Sequence, residues 1–146
     1  MSTLIAIADA VVESLNEAAG SGSFSQALTA ERHYQPVFDL PEMADLHVSV
    51  VPKSVEVLAS SRNQNQHDYA IDIGVQQKVA SDTEADALMT LAEEIADHFR
   101  LGRVQVDGIG SVPVLKVATE PVFAPEHLTE KRVFTSIITL TFRVLR

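Results

Sequence analysis

The chain has no cysteine. That excludes a disulfide framework and any thiolate metal site, and it suits a reducing compartment. Long apolar runs are missing as well. The segment that starts at Met1 is amphipathic and has no basic stretch leading into an apolar one. Neither a signal peptide nor a membrane span is expected. Positive charge is scarce: 11 Lys and Arg stand against 20 Asp and Glu, a formal net charge of −9. Such a chain is a poor general binder of nucleic acid, because affinity for phosphate comes mainly from Lys and Arg.

Catalytic spacing is also absent. His33, His47, His67, His98 and His127 never fall at His-x-His or His-Glu-x-x-His intervals. Glu94 and His98, four apart on a predicted helix, read as an ion pair near its C-terminus rather than as metal ligands. "GIGS" at residues 108–111 resembles part of a phosphate loop, but "VPVLKV" follows it where a helix should start, so it reads as a turn. No Gly-x-Ser-x-Gly elbow occurs. Adjacent acids such as Glu93 and Glu94 belong to the solvent side of a helix. No catalytic residue, cofactor or metal is expected.

What is present is a regular alternation of elements. A length of 146 residues fits one domain spanning 1–146, and 46% apolar residues supply its core. Leu4, Ile5, Ala8, Val11, Val12 and Leu15 predict a helix over 3–19, capped by Ser2 or Thr3 and ended at Gly20. One strand is expected near 26–33, then a loop or short helical turn near 41–44. Leu46, Val48 and Val50 predict a strand stopped by Pro52. Residues 55–59 and 69–79 read as hairpin arms around a polar tip, Ser60–Asp68 ("SSRNQNQHD"). A second helix is predicted over 84–101, with Ser81 and Glu84 at capping-box spacing and Gly102 at its end. Residues 104–110 read as a turn-rich connector, 112–119 as a strand and 120–132 as a long loop. The last segment, 133–145, alternates over its whole length, with Ile138, Leu140, Phe142 and Val144 on one side. The expected fold class is α+β, a mainly antiparallel sheet with two helices packed on it, in the order α-β-β-β-α-β-β.

The polar tip admits two readings. It is a solvated hairpin end, or it is an adaptable hydrogen-bonding surface, since Asn, Gln and Ser both donate and accept. Charge is uneven along the chain too. Residues 1–60 hold eight acids and two bases, whereas residues 100–146 hold seven bases and four acids. Opposite faces of that kind suit a head-to-tail contact between copies, which closes into a ring.

Taken together, "YQPVFDL", "LHVSVVPKSVEV", "NQHDYAIDIGVQQKV" and "EPVFAPEHLTEKRVFTSIITLTFRV" resemble the tail terminator (tail completion or neck) proteins of long-tailed bacteriophages and prophages. The resemblance implies a non-enzymatic virion protein of α+β fold. It would form a homohexameric ring on the head-proximal end of the tail tube and stop its polymerisation. It would also offer a docking surface to the head-to-tail connector. Its partners would be itself, the tail tube protein and the connector. DNA would pass through the lumen without stable binding, and assembly would take place in the host cytoplasm. On that footing Asp39, Glu42 and Asp45 are expected to meet Lys131, Arg132 and Arg143 of a neighbour. Arg62, Asn63, Gln64, Asn65, Gln66, Glu126 and His127 are expected in loops that touch the tube or connector. Another neck component is the alternative reading, and a soluble ligand-binding protein or enzyme a more remote one.

Overall fold

Both long helices form where the apolar stripes lie. The computed structural model describes residues 2–34, 44–59, 61–120 and 122–146, with backbone alone at 127, 130 and 131. Helix α1 spans Thr3–Gly20 and buries Ile7, Val11 and Leu15 completely. Ser2 caps it, its hydroxyl accepting from the Ile5 amide at 3.4 Å. The helix ends in a left-handed turn at Gly22 (φ 79°). There the Ser23 amide donates to Ala18 O and the Gly22 amide to Ala19 O, which satisfies the last carbonyls. Helix α2 spans Asp82–Phe99 and buries Leu88, Leu91, Ile95 and Phe99. Ser81 accepts from the Glu84 amide and Glu84 accepts in return from the Ala80 amide, a capping box displaced by one residue. Gly102 follows the helix tightly: a Cβ there would lie 3.2 Å from Phe99 O. The left-handed residue is Leu101 (φ 58°), not Gly102.

The sheet has six strands in the order β1-β2-β3-β6-β5-β4. These are β1 (Ala30–Arg32), β2 (His47–Ala59), β3 (Asn65–Lys78), β4 (Arg103–Val106), β5 (Gly110–Thr119) and β6 (Val133–Leu145). All neighbours pair antiparallel except β1 with β2. The fold is therefore α+β in the expected order. The expected strand near 26–33 is the short β1. The expected turn near 41–44 lies mostly outside the described residues.

Three local expectations are corrected. Pro52 does not stop β2, which runs on to Ala59 with an irregularity between Pro52 and Ser54. The reason is positional. Pro52 faces away from β3, and β1 reaches only to Val50, so no ladder bond needs the missing amide. The connector at 104–110 is in fact β4 and a tight turn into β5, with Gly108 and Gly110 at φ 81° and 101°. The loop at 120–132 contains a one- to two-turn helix, α3 (Pro125–Lys131), started by proline at its first position.

The alternation of β3 and β6 gives the core. Tyr69, Ile71, Ile73 and Val75 share a face with Phe142, Leu140 and Ile138. All are buried under the helices. Helix α1 packs on β1, β2 and β4, and α2 on β5 and β6. Asn16 of α1 pairs with the backbone of Ala30 in both directions (3.1 and 2.8 Å), which fastens β1 to the helix.

Candidate functional surfaces

The described candidate residues lie on surfaces, not in a cleft. The β2–β3 hairpin extends beyond the cover of the helices: all of β2 from Lys53 to Ala59 is exposed. Its tip is shorter than the sequence implied. Strand β3 begins at Asn65, so Gln66, His67 and Asp68 are strand residues, and the described part of the tip is 61–64. The tip is partly self-closed, with the Ser61 amide donating to Gln64 O and the Gln64 amide to Ser61 Oγ. Arg62, Asn63 and Gln64 are exposed there. Asn65 exchanges two backbone bonds with Arg146, at 2.8 and 3.0 Å, which ties the hairpin to the end of the chain. Gln66 donates to Asp68 at 3.3 Å.

The remaining expected residues are spread out. Asp45 is exposed just before β2, and Asp39 and Glu42 lie outside the described residues. Glu126 is exposed on α3, and the backbones of His127 and Lys131 belong to the same helix. Arg132 is exposed in a left-handed conformation (φ 53°) that turns the chain from α3 into β6. Arg143 is engaged within its own chain: it grips Asp68 through two bonds, at 2.9 and 3.1 Å.

That pair belongs to a polar row on the sheet face opposite the helices. Thr139 donates to Asp72 at 2.6 Å, and Lys53 stands 3.8 Å from the same carboxylate. The guanidinium of Arg143 holds the Asp68 carboxyl below its ordinary range. Sequence reading missed this row, although a signal was present. Asp68 and Asp72 share one face of β3, and the β3–β6 register sets them against Arg143 and Thr139.

The Glu94–His98 ion pair does not form. Glu94 accepts instead from the amide and hydroxyl of Ser25 (3.0 and 2.7 Å), and His98 bonds Ser14 at 3.0 Å. The His98 ring lies against Phe24 and Phe99, and this desolvation lowers its pKa. The neutral ring is thus favoured in the fold. Stability linked to it is complete above the unfolded value, about 6.5. It is lost as pH falls from there through the lower folded value. A thermal melt series from neutral pH to pH 5 should show this loss, and His98→Gln should flatten it. An unchanged slope would count against the assignment.

Among the described residues, no three His, Asp or Glu side chains gather as metal ligands. A groove of about 520 Å³ is open and lies between β3 and the start of α2. Glu84, the carboxylate among its described lining residues, is engaged in the helix cap. The surfaces are thus equipped for hydrogen bonding and strand contacts. No family model and no curated protein match the chain by sequence. By fold it is similar to a chain in the virion of a native gene transfer agent particle, at 18% identity and TM-score 0.62, over 99% of this chain and 98% of that one. A second solved chain, 17% identical with TM-score 0.61, matches 100% of this chain and 96% of its own length. The fold is shared end to end with both.

Proposed function

We propose that this chain is a non-enzymatic structural protein of a phage-like virion, and within it the tail terminator. The observation that carries the reading is the end-to-end fold likeness to a chain of a gene transfer agent virion. In this role six copies form a ring on the head-proximal end of the tail tube, halt its growth and present a surface to the head-to-tail connector. The uneven charge of the chain supports a head-to-tail contact, with Arg132 and Lys131 offered to the acidic segment around Asp45 of a neighbour. Arg143 enters such a contact already paired with Asp68, so it contributes less free charge than Arg132.

Electron microscopy of particles made without the gene tests the role. Overlong tail tubes are the expected result. Tails of normal length left unattached to heads would assign the chain to the connector instead. Unchanged particles would remove it from the virion's assembly.

A further inference from the structure

Among the described residues, the sheet leaves two runs of strand edge open, one on each side. On β2 the open run is Lys53–Ala59, because β1 covers only Val48–Val50. On β5 it is 115–119, because β4 covers only Gly110–Pro113. Open edges carry unpaired backbone donors and acceptors, which an extended strand can satisfy.

The hydrogen-bond parity fixes which groups point outward. Asn65 and Arg146 exchange two bonds across β3 and β6. Antiparallel pairs alternate between bonded and non-bonded, so every second residue of β3 from Asn65 bonds β6 and not β2. Their β2 partners Val55, Val57 and Ala59 therefore turn their N–H and C=O to the open side. The same alternation on β6 leaves Val117 and Thr119 of β5 facing outward. The Val114 amide, which bonds Gly102 O outside the β5–β6 ladder, has the parity this requires.

We propose that the β2 edge of one copy pairs antiparallel with the β5 edge of the next, joining their sheets. This rests on the ring reading above and names the surface that closes the ring. Three observations select a second copy as the occupant. First, strand directions alternate from β2 through β3 and β6 to β5, so a neighbour in the same orientation brings its β2 antiparallel to β5. Second, the outward groups of both edges belong to residues on the helix-covered side, as two facing residues of one continuous sheet must. Val55 and Val57, about half exposed, then lie along the groove of about 270 Å³ between β5 and the end of α2, beside Leu101 (93% exposed). Third, Glu56 and Lys116 both project from the opposite face, with complementary charge. Self-pairing of the whole 53–59 run would instead set Glu56 against Glu56, and like charges directly opposite are unfavourable.

The chain has no cysteine, so introduced thiols are unique. Val57→Cys protein mixed with Val117→Cys protein should be joined by a short bis-maleimide into heterodimers. Neither variant alone should be joined. Val57→Pro removes one outward donor and no bond of the β2–β3 ladder, so it should weaken assembly about tenfold per contact in native mass spectrometry while the monomer stays folded. Rings that form unimpaired with Val57→Pro and show no 57–117 cross-link would overturn the edge contact and leave the ring. Cross-linking of Val57→Cys protein to itself would overturn it in favour of a two-fold pair. A wild type that stays monomeric at its highest soluble concentration, with no cross-link, would overturn the edge contact and the ring together.

Discussion

Phe142→Ala should cost about 3–5 kcal/mol, a large part of the roughly 5–15 kcal/mol that holds a domain of this size. Phe142 has no exposed surface and sits in β6, which has a long neighbour on both sides. Its cross-strand partners are Tyr69 on β3 and Val114 on β5, both buried. Truncation leaves a cavity between two ladders that fix the backbone, so the site cannot collapse to fill it. Urea unfolding monitored by circular dichroism reads the change in midpoint. Val57→Ala, on the exposed part of β2, is the matched control and should stay within about 0.5 kcal/mol. A loss at Phe142 below about 1 kcal/mol would mean that the β6 face is not the centre of the core.

The parts legible in the sequence are those fixed by period. Strict alternation marked β3 and β6 and picked their buried faces, and helical stripes marked α1 and α2. What escaped depends on partners far away in the chain. Pro52 is a strand breaker by propensity, yet the register of β1 decides that its missing amide costs nothing. Strand β4 has four residues, and its identity comes from pairing with β5, not from its own pattern. The polar tip reads longer in the sequence than it is because Gln66 and Asp68 are polar, whereas their place in β3 is set by the ladder to β6. The same ladder turns Arg143, a free charge when read alone, into the partner of Asp68. Sequence reading found the hairpin as a candidate contact, but its open edge becomes visible only when β1 is seen to end at Arg32.

The tip and the edge of the hairpin can be separated, and the separation gives a large functional effect. Leu58 and Gln66 are paired, and by the parity above they form a hydrogen-bonded pair. Such a pair accepts a two-residue Asn-Gly turn, whose twist matches the strands. Replacing residues 59–65 by Asn-Gly therefore removes Arg62, Asn63 and Gln64 and keeps Val55 and Val57 in place. Folding loses the two bonds between Asn65 and Arg146, a cost of about 1–2 kcal/mol, which the domain survives. If the tip is the surface that engages the tail tube, particles carrying this variant should lose length control as completely as particles lacking the gene. Their rings should still form in native mass spectrometry, since the open β2 edge loses Ala59 but keeps Lys53–Leu58. Electron microscopy of tail lengths and mass spectrometry of the purified variant read the two effects independently. Tails of normal length from a correctly folded variant would remove the tip from the tube contact. That result would move the contact to the other expected surface, at Glu126 and α3.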